Sequence, residues 1–276
     1  MPEKTVQKNN HLKQSLISLT LLSAIFFNHS SADELTLLAQ PAYPMERSAE
    51  VYAPLIEYLN ETSGHTITLK SPRDFQQHWL NLRNGDTPDL VLEDAPITDY
   101  RIQNQAYTPL VRVKEDVSYS ILTGGGYADD SLDQFVGRII STLASPSLGY
   151  LVLIDAFPNP FSQPVISSNA ATWLDGVEMT FSMEADAAVA PAWLVEQYQN
   201  LYPVYQSKNY PGLTLSASSN VSEEAKAAIK HALLMLAEDE THFSALHELN
   251  ATELIEANVE DYAGYKEMLG QLYGGQ

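Results

Sequence analysis

The 276-residue chain contains no cysteine. Disulfides, thiolate nucleophiles, cysteine-ligated zinc and a lipid-modified cysteine anchor are therefore excluded. Basic residues are scarce: 15 Lys and Arg stand against 35 Asp and Glu, giving a formal net charge of −20. Nucleic acid is not expected as a partner, because affinity for it rests on Lys and Arg at phosphates. Internal repeats and low-complexity segments are absent. The sequence has no H-E-x-x-H and no G-x-S-x-G, and His242 and His247 are five apart, a spacing that does not stack them on one helical face. Neither a metal site nor a serine nucleophile is indicated, and no cofactor is expected.

What is present begins with an N-terminal leader. Lys4, Lys8 and Lys13 precede the apolar run 16–27, and small residues follow at Ser30 and Ala32 before the acidic pair Asp33-Glu34. A basic start, a short apolar core and a small-residue exit read as a secretory signal over residues 1–32, cleaved after Ala32. An uncleaved anchor is the alternative, but the run is short for a membrane span. No later stretch is long and apolar enough to span a bilayer. The mature chain is expected in the periplasm without stable membrane insertion.

From residue 35 onward, short apolar runs alternate with amphipathic stretches. Strands are expected at 35–39, 66–69, 89–92 and 108–113, and helices between them carry Val51, Leu55 and Leu59, then Phe75, Trp79 and Leu82, then 95–105. A second alternation follows: strands at 118–123, 138–143, 165–166, 187–190 and 202–206, with helices at 148–157 and 170–177. A strand at 213–217 and a helical tail close the chain, with helices at 223–236, 243–249, 252–257 and 262–272 and Ser222 as the cap of the first. Strand–helix alternation across short loops indicates an α/β fold with largely parallel sheets. The order divides into two lobes. The first comprises 33–117 and returns at 207–276, and the second is 118–206. Two crossing segments make a hinge, and ligand sites favour such clefts.

Three stretches could carry chemistry. Gly124-Gly125-Gly126 lacks the Lys-Ser/Thr ending of a phosphate loop and reads as a turn. Glu93-Asp94 follows a strand directly, where functional carboxylates often sit, although a solvated loop or helix cap explains it as well. Ser145-Pro146-Ser147-Leu148-Gly149 joins a buried strand to an apolar helix. The first amides of a helix have no internal partners, so this turn can either hold an anion or simply cap the helix through a serine.

Taken in order, several segments resemble one family. They are Glu46-Arg47-Ser48-Ala49-Glu50-Val51-Tyr52, Asp89-Leu90-Val91 with Pro96 and Tyr100-Arg101-Ile102, the Ser145–Gly149 turn, Phe157-Pro158-Asn159-Pro160 and Ala185-Asp186-Ala187-Ala188-Val189. The family is that of phosphate/phosphite/phosphonate-binding proteins of ABC transporters, which are type 2 periplasmic solute-binding proteins. The resemblance implies two α/β lobes closing on a small ligand. It implies a pocket built from Ser145, Ser147, Leu148 and Gly149 with Trp193 on the second lobe. Tyr43, the Arg73-Asp74-Phe75 turn and the Glu93, Asp94 and Ile97 turn would contribute from the first. Many relatives carry a histidine after the proline where this chain has Ile97. A phosphonate-like oxyanion is the leading ligand class, with Arg73 as its cation. A neutral or cationic metabolite held by Glu93 and the rings of Tyr43, Phe75 and Trp193 is the alternative. The expected partner is an inner-membrane ABC permease, or otherwise a sensor kinase, with the protein monomeric. A hydrolase on a similar fold is the remote alternative.

Overall fold

The computed structural model describes residues 1–2, 33–125 and 131–273. Apart from Met1 and Pro2, the expected leader lies outside the described residues, as does Gly126. In chain order the elements are β1 (Glu34–Ala39), α1 (Met45–Thr62), β2 (Thr66–Lys70), α2 (Phe75–Arg83), β3 (Leu90–Glu93), α3 (Ala95–Gln105) and β4 (Thr108–Val113). Then come β5 (Tyr119–Thr123), β6 (Ile139–Ser141), α4 (Leu148–Ala156), β7 (Val165–Ser167), α5 (Trp173–Phe181), β8 (Ala187–Pro191), α6 (Ala192–Val195) and β9 (Tyr202–Gln206). The chain ends with β10 (Thr214–Ala217), α7 (Glu223–Met235), α8 (Phe243–Glu248), β11 (Leu254–Glu256) and α9 (Glu267–Tyr273).

Local chemistry sets most of these boundaries. Val51, Tyr52, Leu55, Tyr58 and Leu59 recur at helical spacing and form the buried face of α1. Each such side chain, fully buried, contributes roughly 1.5–3 kcal/mol. Gly64 follows that helix at φ 76°, in the left-handed region that a Cβ disfavours. Asp74 caps α2 by accepting the Gln77 N–H at 2.7 Å, and Ser222 caps α7 by accepting the Ala225 N–H at 3.1 Å. The Tyr58 hydroxyl donates to the Ala232 carbonyl at 2.6 Å and ties α1 to α7.

The strands form two sheets, ordered β11-β4-β10-β3-β1-β2 and β7-β6-β8-β5-β9. Pairing is mixed where the sequence suggested largely parallel sheets. β1 is parallel to β2 and β3, and β6 to β7 and β8. The strands next to the crossings, β4, β10, β5 and β9, pair antiparallel. A strand that leaves its sheet and a strand that returns to it run in opposite directions, which accounts for the mixture.

The chain passes from the first sheet to the second between Val113 and Tyr119, and back between Gln206 and Thr214. The two crossing segments touch through paired backbone hydrogen bonds between Val117 and Tyr210, 2.9 and 2.8 Å long. Gly212 is required there. A Cβ on it would lie 2.5 Å from the Glu115 carbonyl oxygen and 2.7 Å from that of Val113. A second link is apolar: Trp79, Leu82 and Ile97 pack with Leu151 of α4 and Leu269 of α9.

The tail departs from the sequence expectation. Residues 252–257 form no helix; β11 pairs antiparallel with β4 instead. Edge pairing buries Leu254 and leaves Glu256 exposed, and that tertiary gain overrides a weak local preference. The helix expected at 170–177 starts later, at Trp173. Thr172 and Asp175 form a capping box there and fix its first turn. The last expected helix, 262–272, starts late, at Glu267 of α9, and a 3-10 turn at Val259–Tyr262 precedes it.

Candidate functional site

A cavity of about 200 Å³ lies where the crossing segments meet the two sheets. From the first-sheet side it is lined by Tyr43, Tyr52 of α1, Asp94 and Glu248. From the second-sheet side Tyr119 of β5, Trp173 of α5 and Trp193 of α6 close it. Glu115 and Asp116 of the first crossing segment form its rim with Gly212. Tyr43 and Tyr52 meet edge-to-face with centroids 6.3 Å apart, and Tyr119 and Trp173 are tilted at 5.3 Å. No Lys, Arg or His stands among its described lining residues.

Adjacent carboxylates meet opposite environments here. Glu93 is fully buried and bound by Arg101, whose Nε lies 2.8 Å from Oε2 and whose second guanidinium nitrogen lies 2.9 Å from Oε1. His78 Nε2 approaches Oε1 at 3.0 Å. Burial pushes the Glu93 carboxyl up, but the Arg101 charge and hydrogen bonds, helped by the close approach of His78, outweigh it and hold it at about 2. Asp94 sits at the mouth of α3. Its backbone N–H donates to Gln40 Oε1, and Gln40 Nε2 donates to its Oδ2, both at 2.9 Å. Its Oδ1 takes no hydrogen bond from the described residues. Burial, reinforced by the Glu93 charge and opposed by the Gln40 hydrogen bond, raises Asp94 to about 6. Both carboxylates are buried, so the solvated-loop reading does not hold for this pair. The strand-end direction of the chain separates them: Glu93 points into the Arg101 network, and Asp94 into the cavity wall.

The Ser145–Gly149 turn is placed differently. Ser147 is buried, its hydroxyl donates to the Leu143 carbonyl at 3.2 Å and it accepts the Tyr150 N–H at 3.3 Å. It caps α4. Leu148 is core, and a Cβ on Gly149 would stand 2.5 Å from the far edge of the Trp173 indole. Glycine at this position lets the ring lie against α4. None of Ser145, Ser147, Leu148 or Gly149 lines the cavity, whereas Tyr43, Asp94 and Trp193 do.

Arg73, Asp74 and Phe75 belong to a second cavity, about 350 Å³, that shares Tyr43 with the first and reaches Leu143, Ala144 and Ala170. Arg73 is largely exposed, and its Nε donates to Asp74 Oδ2 at 2.7 Å. Ile97 is 2 % exposed and belongs to the apolar cluster with Trp79 and Leu151. The structure thus brings together three of the sequence-derived candidates at the first cavity and four, counting Tyr43 again, at the second. Sequence reasoning missed Gln40, Tyr52, Tyr119 and Trp173. Tyr52 lies on the helical apolar face and was indistinguishable from core. Gln40, directly after β1, carried the same strand-end signal as Glu93 and Asp94.

The chain matches the family described as "ABC transporter, phosphonate, periplasmic substrate-binding protein" over residues 38–262. It belongs to that family. It is therefore an extracytoplasmic substrate-binding protein of an ABC transporter and not an enzyme; such a protein takes up a small ligand and works with a membrane permease. No curated protein matches it in sequence. Among solved structures it is similar to PhnD1 from Prochlorococcus marinus (MIT 9301) in complex with methylphosphonate, at 13% identity and TM-score 0.73, over 87% of this chain and 98% of that one. A binding protein component of an ABC phosphonate transporter from Pseudomonas aeruginosa is similar at 11% identity and TM-score 0.69, over 87% and 86%. An ancestral arginine-binding protein bound to arginine follows at 15% identity and TM-score 0.54, over 78% and 97%. These likenesses establish the fold, that of a type 2 periplasmic binding protein. No helix among the described residues is long and apolar enough to cross a membrane.

Proposed function

We propose that this family member captures a small solute in the cavity at the crossing segments and presents the closed form to an inner-membrane ABC permease. It would act as a monomer in the periplasm after its leader is cleaved behind Ala32. The observation that carries the proposal is the lining, which draws Tyr52 and Asp94 from one sheet's side and Tyr119 and Trp193 from the other's. A ligand there touches both lobes only when they are together, so binding stabilises closure by differential affinity. The crossing segments joined at Val117 and Tyr210 are the hinge about which the lobes move.

Phosphonate-like oxyanions enter the ligand panel first, because the family is named for them; Arg73, which lines the second cavity, would be the cation for one. Alkylammonium ions enter it because of the acidic, aromatic lining of the first cavity. A thermal-shift screen should raise the melting temperature for the cognate class, since a ligand at a hundred times its Kd adds about 2.7 kcal/mol. Small-angle scattering should then record a smaller radius of gyration with the ligand that shifts the melt. Identical scattering of the free and saturated protein would reject closure.

A further inference from the structure

The first cavity contains a buried acid with an open valence and a wall of rings. Asp94 is 7 % exposed, and Gln40 satisfies one of its oxygens while the other has no partner among the described residues. The hydroxyls of Tyr52 and Tyr119, both buried, also have no hydrogen bond among the described residues. Both rings lie within the field of Asp94: burial, then neighbouring charges that include Asp94, make them harder to ionise. The indoles of Trp173 and Trp193 complete the wall.

The remaining charge at the site is also negative. Glu248 lines the same space, and its charge is felt at the Tyr43 hydroxyl, where Arg47 opposes it. Asp116 is paired with Arg112 at 3.1 Å, and Glu115 accepts from Thr252, so these two are partly answered from outside the cavity. No group of three His, Asp or Glu side chains among the described residues is arranged to hold a metal ion. An oxyanion would find no cationic side chain in this lining, and the Ser147 hydroxyl is engaged in capping α4.

Resting on the solute-capture reading above, we propose that the ligand of the first cavity is a small alkylated ammonium ion, with Asp94 as its counter-charge and Tyr52, Tyr119, Trp173 and Trp193 as its cage. Aromatic faces attract such ions through their quadrupole, and a methylated nitrogen has no N–H that the rings would leave unsatisfied. A bare inorganic cation would instead need several oxygens in its coordination sphere, which the rings do not supply.

Calorimetric titration of the purified protein with tetramethylammonium chloride, against sodium methylphosphonate at equal ionic strength, tests this. Saturable tetramethylammonium binding is expected. Asp94→Asn should weaken it tenfold or more, Trp193→Ala about threefold to thirtyfold, and Arg73→Gln should leave it unchanged. Trp193 is partly exposed, so its variant remains informative if Asp94→Asn does not fold. Methylphosphonate binding that Trp193→Ala weakens and Asp94→Asn strengthens would put an oxyanion in the first cavity, overturning the ammonium assignment and preserving solute capture. Absence of tetramethylammonium binding overturns the assignment as well. Failure of every solute in the thermal-shift panel to bind would overturn capture itself.

Discussion

Two strand-to-helix turns, one in each lobe, start from the same physics and end in different uses. The turn at Glu93-Asp94 opens α3 after β3, and the Ser145–Gly149 turn opens α4 after β6. Each presents a helix N-terminus, where backbone amides and the dipole favour negative charge. In the first, the chain supplies that charge itself: Asp94 stands at the mouth of the helix and faces the cavity. In the second, a serine hydroxyl satisfies the helix, and Trp173 covers Gly149. A helix terminus is an anion site only while its donors are free and reachable. Here the first stands under a carboxylate that accepts none of its amides yet would repel an anion, and the second is closed by a cap; the cavity at the first is left acidic.

The largest expected effect tests the first turn's foundation. Arg101→Met should destabilise the fold by about 3–5 kcal/mol, because it leaves Glu93 charged, buried and without its main partner. Chemical denaturation measures this. In the intact protein the sign with pH follows from the lowered Glu93 value. Its contribution is complete above the ordinary carboxylate range near 4.5 and is lost as pH falls toward about 2. If Arg101→Met unfolds at the parental denaturant concentration, the Glu93 network does not hold β3 to α3.

The second effect tests the other turn. Gly149→Ala would gain up to about 1 kcal/mol if only helix propensity mattered. The contact at 2.5 Å predicts the opposite: the indole must move, with a loss of about 1–3 kcal/mol and a changed Trp173 emission. The sign of the change in melting temperature decides between them.

Much of the fold was legible in the sequence. Periodicity located α1, α2, α3 and α7, and Asp74 and Ser222 cap where their residue types indicate. The site was legible by position more than by role. The strand end marks Glu93 and Asp94 alike; which of them reaches the cavity is not legible, because the ion pair that engages Glu93 is formed by packing with Arg101, eight residues away. Tyr52 and Tyr119 are buried and Trp173 partly so, which makes them resemble core residues; only the arrangement of two lobes turns one edge of each toward a shared space. β11 was misread because its partner, β4, is distant in sequence.

A third, smaller effect separates the two carboxylates by pH. Asp94 titrates at about 6, so ammonium binding should be constant above that value and fall by up to tenfold for each pH unit below it. Gln40 after β1 bonds Asp94, the charge of Glu93 on β3 bears on it from behind, Tyr52 on α1 and Tyr119 on β5 feel its charge, and Glu248 of α8 lines the same cavity. Glu93 stays ionised across this range, and burial keeps both tyrosines neutral. Titrations at pH 5 and pH 8 should therefore differ, and equal affinities would remove Asp94 as the counter-charge. An oxyanion ligand would show the reverse slope.

The smallest effect asks whether the Ser145–Gly149 turn does anything beyond holding its helix. Ser147→Ala removes a hydroxyl that donates to Leu143 and accepts from Tyr150, both local to the turn. Loss of an N-cap costs about 1 kcal/mol, within a range of roughly 0.5–2. Ligand affinity should stay at the parental value, because the residue does not line the cavity. A variant that melts like the parent yet binds more weakly would give the serine to the ligand instead. The two turns would then share the binding task, one through charge and the other through hydroxyl donors. The acidic cavity would be only one end of a longer site reaching α4.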